Sequence, residues 1–92
     1  MPLPNLKPGE VYRSFAVLRL WDEDPDDLTG SDVKFKWVQH KAEFMILEVY
    51  EPQAKFYTSR RVNVNILILG TETMGWVVMF EDFNSSNLEK IL

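Results

Sequence analysis

The chain has 92 residues, of which 46% are hydrophobic and 13% aromatic, so it can form one globular domain and is too apolar for global disorder. It has no cysteine, which excludes disulfides and thiolate metal sites, and its net charge of −4 disfavours tight sequence-independent binding to nucleic acid. Without a signal-peptide pattern or a run of ~20 apolar residues, we expect a cytoplasmic protein that does not enter a membrane.

The first ten residues are predicted to form an extended arm ahead of a single domain at 11–92. Three prolines and a glycine exclude a helix interior or a central strand in this segment. The arm is either a disordered tail or is docked on another surface.

The first predicted strand runs from Val11 to Trp21 and is rich in β-branched and aromatic residues. Apolar side chains occur on both of its faces, which indicates burial on two sides. The following segment, Asp22–Asp32, is predicted to be a loop because it combines Pro25 and Gly30 with clustered acidic residues.

A second strand is predicted from the alternation that begins at Val33. This pattern places Phe35 and Trp37 in the core and leaves Lys34 and Lys36 facing solvent.

The polar triplet Gln39–Lys41 predicts a turn before a third strand, Glu43–Tyr50, with one long bent strand through both segments as an alternative. A helix over Lys36–Glu51 is the competing interpretation, but the apolar run Phe44–Leu47 would wrap around a helix instead of forming a stripe, which favours the strand. Pro52 then ends the element.

A β-hairpin is predicted from two strand-like runs, Arg61–Leu69 and Trp76–Phe80, around the turn-rich segment Gly70–Gly75. Its far end is apolar on both faces, so the second face must be covered by the chain itself or by a partner. The two expected sets are Leu67, Leu69, Val77 and Met79 on one face and Ile66, Ile68, Val78 and Phe80 on the other.

The predicted fold is therefore mainly β, a small single-domain antiparallel β-barrel or roll, with SH3-like topology as the preferred arrangement. At the C-terminus, Ser85–Glu89 is expected to form a short helical turn, with a final short strand through Ile91 as the alternative. No family motif is recognised.

An acidic loop is the main candidate for partner binding, with the preceding Trp21 as a half-exposed aromatic anchor. Five carboxylates in six residues attract a basic surface on another protein or are simply solvated. They are Asp22, Glu23, Asp24, Asp26 and Asp27.

A calcium-binding β module is the second alternative for this loop, because Asp22, Asp24 and Asp26 have the spacing that begins an EF-hand loop. The pattern then fails, since Asp27 replaces the required glycine and Val33 the bidentate glutamate. No metal site or cofactor is therefore predicted.

A small nucleic-acid-binding barrel is the other alternative, with a Tyr/Arg/Lys face formed by Lys34, Lys36, Tyr57 and Arg60. Aromatic rings stack on bases while cations hold phosphates. The competing interpretation of the same residues is a solubilising strand edge.

An enzyme is not expected, because the only histidine, His40, lies in a predicted turn and no catalytic or phosphate-binding motif is present. Trp37 and Trp76 are assigned to the core. We therefore expect a non-enzymatic protein-interaction module, an accessory or adaptor subunit. Its role in phage or virion assembly or as an inhibitor is left open, as is homo-oligomerisation.

Overall fold

The computed structural model describes residues 5–24, 34–51, 60–80 and 87–92. They form one antiparallel sheet, ordered β3-β2-β6-β5-β4-β1-β7, which curls into a half-barrel. The predicted mainly β, antiparallel fold is thus confirmed, while the SH3-like topology stays a prediction. The strands are β1 (Val11–Ser14), β2 (Leu18–Trp21), β3 (Phe35–Val38), β4 (Glu43–Tyr50), β5 (Arg61–Ile68), β6 (Thr73–Phe80) and β7 (Leu88–Lys90).

The predicted first strand is divided into β1 and β2 by a local turn. The hydroxyl of Ser14 donates to the carbonyl of Ala16 over 2.6 Å and accepts from the Ala16 N–H over 3.2 Å, which competes with ladder pairing at this point. β1 then lies between β4 and β7, whereas β2 lies between β3 and β6. The interruption therefore lets one stretch of chain contribute to both sides of the curled sheet.

The register across this interruption is unchanged. Val11 pairs with Met45 between β1 and β4, and Trp21 pairs with Phe35 between β2 and β3. The same number of residues separates the two pairs on each side, so no residue is inserted on either side of the interruption. The two halves form one long bent ribbon, and this ribbon determines which side chains of β2 and β3 meet.

β2 closes against β6 where Trp21 pairs with Trp76. This approach requires glycine at position 75, because a Cβ there would lie 2.5 Å from Leu20 Cγ and 2.8 Å from the carbonyl oxygen of Trp21. A backbone oxygen cannot be moved aside as cheaply as the end of a flexible side chain.

The core lies on the concave side of the sheet, where alternate residues of the central strands point inward. Its buried members are Leu6, Tyr12, Leu18, Leu20, Val38, Phe44, Ile46, Val62, Val64, Ile66, Val77 and Met79. β5 thus contributes every second residue to this core, while Arg61 and Asn63 are buried on its other face.

The predicted hairpin is confirmed, although its two faces are assembled differently from the expectation. Val77 pairs with Val64, and both point into the core, while Leu67 pairs with Met74 on the outer surface. The expected set that grouped Leu67 with Val77 is therefore wrong. The reason is that every pair of this hairpin joins an odd-numbered residue to an even-numbered one, so Leu67 shares its face with Val78 and Phe80 and not with Val77.

The turn at His40 and Lys41 and the strand β4 are both confirmed, and the helical alternative over the same region is wrong. Lys41 has a φ of 70°, in the left-handed region that a tight turn uses. The turn of the hairpin uses the same region at Gly70, with a φ of 90°, where glycine avoids the steric cost of a Cβ.

Residues 5–10 of the N-terminal arm are docked on the chain's own sheet. Leu6 is buried in the core, the N–H of Gly9 donates to the Ile46 carbonyl over 2.8 Å, and the Ile46 N–H donates to the Glu10 carbonyl over 2.8 Å. The arm therefore extends the pairing of β1 with β4.

The C-terminal strand β7 occupies the place of the expected helical turn from Leu88 onward and agrees with the alternative of a short strand. Ser85 and Ser86 lie outside the described residues. In the described ranges we find no helix with the length and apolar character needed to cross a membrane.

Candidate functional site

Four side chains on the outer surface of β2 and β3 form a cluster that we call the aromatic face: Arg19, Trp21, Phe35 and Trp37. The ribbon register makes Trp21 the direct partner of Phe35, and Arg19 the direct partner of Trp37. Ring centroids lie 5.1 Å apart for Trp21 and Phe35, and 5.4 Å apart for Phe35 and Trp37, within the range of favourable aromatic contacts.

Arg19 lies against all three rings of the aromatic face. Its guanidinium carbon is 4.6 Å from the ring centroid of Phe35, 5.3 Å from that of Trp37 and 5.4 Å from that of Trp21. Each distance is inside the ~6 Å limit of a cation–π interaction. The cation therefore holds the rings in one arrangement and leaves a fixed amphipathic surface.

Phe35 and Trp37 are largely open to solvent, with exposed fractions of 41% and 55%. The sequence prediction that both are core residues is wrong. Alternation along β3 is present, but the buried member is Val38, so the aromatic side chains lie on the face turned away from the core. Lys34 and Lys36 are exposed, as predicted.

The aromatic surface continues from β2 onto β6 and β4. Trp21 and Trp76, which are backbone partners, lie on the same side of the sheet and are half-buried. The ring of Trp76 meets that of Tyr50 edge to face, at a centroid distance of 5.8 Å. Trp76 is therefore not the core residue that was predicted, because its neighbours Gly75 and Val77 take the inward positions.

Asp24 is attached to the sheet by hydrogen bonds, unlike the exposed Asp22 and Glu23. The hydroxyl of Tyr50 donates to Asp24 Oδ2, and the side-chain amide of the fully buried Asn63 donates to Asp24 Oδ1 over 2.9 Å. The same Asn63 nitrogen lies 3.2 Å from the Tyr50 hydroxyl oxygen. Asp24 therefore fixes the start of the acidic loop beside the aromatic face.

The remaining acidic candidates, Asp26 and Asp27, lie outside the described residues. The part of the chain that the structure describes contains no group of three His, Asp or Glu side chains placed to hold a metal ion. Since Asp26 is one of the three residues in the calcium hypothesis, that hypothesis stays a prediction.

The four residues of the nucleic-acid alternative are not brought together as a set. Lys34 and Lys36 flank Phe35, but Arg60 precedes β5, which is separated from β3 by two strands. Arg60 forms a bidentate ion pair with Glu51, over 2.8 and 3.1 Å, and its hydrogen bonds lower the pKa of the Glu51 carboxyl. Tyr57 lies outside the described residues.

Of the four residues of the aromatic face, the sequence analysis proposed only Trp21 for partner binding and did not group Arg19, Phe35 and Trp37 with it. The available signal was the alternation in each segment, which puts Arg19 with Trp21 and Phe35 with Trp37. The register between the two segments, which places the cation over the rings, is not encoded in either segment alone.

Fold and site together define a small antiparallel half-barrel that presents a preorganised aromatic and cationic face on its outer surface. The chain matches no protein-family model, and no curated protein or solved structure is similar enough to count as a match. The geometry of the aromatic face is therefore the feature from which a function can be proposed.

Proposed function

We propose that the protein is a non-enzymatic interaction module, an accessory or adaptor subunit that docks onto another protein through the aromatic face. The observation that carries the proposal is the exposure of Phe35 and Trp37 within a cluster whose arrangement is already held by Arg19. Tryptophan, tyrosine and arginine are the side chains enriched at binding hot spots, and a fixed arrangement lowers the entropy lost on docking.

The start of the acidic loop supplies the rim of this surface. Asp22 and Glu23 are exposed next to Trp21, while the hydrogen bonds of Asp24 fix the backbone that presents them. Carboxylates at a rim speed encounter with a basic partner surface and add little affinity. The absence of cysteine favours a cytoplasmic setting for this module.

Binding of single-stranded nucleic acid is a second candidate, because the exposed Lys34 and Lys36 adjoin Phe35 along the chain, on the face opposite its ring. Stacking on Phe35 and Trp37 together with phosphate contacts from these lysines would require a net cationic surface. The exposed carboxylates of Asp22 and Glu23 make the surface less cationic and so disfavour binding to phosphates. Fluorescence anisotropy with a short labelled oligonucleotide at low salt distinguishes the two, since salt-sensitive binding would support only this second candidate.

The proposal is tested by comparing two variants that remove a phenyl ring of equal exposure. Phe35 is 41% exposed in the aromatic face and Phe80 is 40% exposed at the end of β6. Tagged wild-type protein, Phe35→Ser and Phe80→Ser are used to isolate partners from host cells. We expect a protein partner that is retained by wild type and Phe80→Ser and lost by Phe35→Ser. Equal retention by all three, or no partner with wild type, would contradict the proposal.

A further inference from the structure

We infer that β3 accepts an additional strand from the partner, an extended segment with an apolar, acidic, apolar alternation. This inference rests on the proposed docking function and specifies its chemistry. Three features of β3 support it: the direction of its backbone hydrogen bonds, its position at the end of the sheet and the side chains on its two faces.

The backbone hydrogen bonds of β3 follow from one contact at its start. The N–H of Asp22 donates to the carbonyl of Lys34 over 3.1 Å, which identifies these two residues as a hydrogen-bonded pair of the antiparallel ladder. Such pairs alternate with pairs that do not exchange hydrogen bonds. Lys36 and Val38 therefore direct their backbone groups toward β2, and the N–H and C=O of Phe35 and Trp37 point away from it.

The side of β3 that faces away from β2 is an edge of the sheet. In the strand order, β3 stands at one end, and among the described residues it pairs with β2 alone. Phe35 and Trp37 thus present both their aromatic rings and their edge-directed backbone groups. A sheet edge with this geometry accepts an extended peptide by strand addition.

The other edge of the sheet, β7, is shorter and is bordered by ion pairs. Glu89 meets Arg13 over 3.4 Å, and Lys90 meets Glu10 over 2.6 Å. Paired charges on a three-residue strand are a common way to discourage strand addition. The asymmetry between the edges favours β3 as the acceptor.

The side chains of β3 determine the chemistry of the added strand, because directly opposed residues share a face. Residues opposite Phe35 and Trp37 would lie on the outer surface beside the aromatic rings and are therefore apolar. The residue opposite Lys36 would lie on the other face, next to an exposed ammonium group, and is therefore a carboxylate.

A second copy of the chain fits this edge less well than such a partner. If two β3 strands paired antiparallel about Lys36, the two Lys36 side chains would be directly opposed, and like charges in this position are destabilising. The charge of the edge thus argues for a segment of a different protein.

The probe for this inference is the blocked peptide acetyl-Gly-Thr-Val-Glu-Val-Thr-Gly-amide, titrated into the full chain and followed by amide chemical shifts. One control peptide replaces Glu with Lys, and another carries N-methyl groups on both valines, which removes backbone donors while keeping the side chains. We expect N-methylation, which removes two hydrogen bonds, to weaken binding at least about fivefold, and the replacement of Glu by Lys to weaken it about two- to fivefold. Lys36→Glu should reverse the preference between the Glu and Lys peptides.

Equal affinity of the N-methylated peptide, or no binding at about millimolar peptide, would overturn strand addition. If partner capture still depends on Phe35, the docking proposal then stands and only the strand mechanism fails. A concentration-dependent dimer that Phe35→Ser dissociates would also overturn the inference, because the edge would then be occupied by a second copy.

Discussion

The side-chain amide of Asn63 donates to Asp24 over 2.9 Å and so connects the centre of β5 to the first residues of the acidic loop. This contact divides the acidic loop into two kinds of residue. Asp24 positions the chain that leaves β2, whereas Asp22 and Glu23 remain exposed and available to a partner.

Asp24→Ala is expected to lower the free energy of unfolding by about 1–3 kcal/mol, because it leaves the buried amide of Asn63 without this charged acceptor. Asp22→Ala and Glu23→Ala, at exposed positions, should stay within about 0.5 kcal/mol of wild type. Urea denaturation of the three variants measures the difference. Equal stabilities would show that Asp24 does not fix the loop.

Gly75→Ala is expected to destabilise the protein by about 1–3 kcal/mol, because the added Cβ meets the carbonyl oxygen of Trp21 and the side chain of Leu20. Met74→Ala, at the neighbouring and well exposed position, is the control and should be nearly neutral. Thermal unfolding compares the two variants. If Gly75→Ala is as stable as the control, β2 and β6 do not approach as closely as described.

Glu10 should make stability pH-dependent through its contacts with the arm and β7. The hydrogen bond from Lys90 lowers the pKa of the Glu10 carboxyl, with smaller contributions from the Lys7 N–H and the Tyr12 hydroxyl. A lowered folded-state pKa stabilises the protein above the ordinary glutamate pKa, and this contribution is lost as pH falls through the folded-state value.

Glu10→Gln is therefore expected to be less stable than wild type near neutral pH, and the difference should vanish at acidic pH. Melting temperatures measured from about pH 7 to about pH 2 provide the comparison. A difference that is constant across this range would show that the Glu10 charge has no role in holding the arm.

Arg19→Ala is expected to loosen the aromatic face with only a small loss of stability, about 0.5–1 kcal/mol, as for other exposed cation–π contacts. Acrylamide quenching of tryptophan fluorescence should increase, because the guanidinium no longer covers the rings. Arg19→Lys keeps the charge without the planar group and should give an intermediate value. Unchanged quenching in Arg19→Ala would mean that the cation does not shield the rings.

Local pattern in the sequence was sufficient for β3, β4 and the hairpin of β5 and β6, because period-two alternation and turn residues are short-range signals. The same alternation does not show which of the two faces of a strand points into the core. For β3, the answer depends on Val38 reaching the core, which follows from pairing with Leu18 across the ribbon. The division of β1 from β2 depends on one serine hydroxyl at Ser14.

The aromatic face was only partly predictable for a related reason. Trp21 stood out because it borders the acidic loop, but the contact of Arg19 with Phe35 joins residues on either side of that loop. Their proximity is produced by the ribbon register, a long-range property that neither composition nor spacing contains.

Hydrogen exchange at the backbone amides of β3, measured by NMR on the free protein, shows whether the strand that carries Phe35 and Trp37 is an edge available to a partner. We expect alternation, with rapid exchange at Phe35 and Trp37, whose N–H groups point away from β2 to the sheet edge, and slower exchange at Lys36 and Val38, whose N–H groups bond to β2. Equal protection of all four amides would contradict it, because the edge that presents the aromatic face would then already be paired.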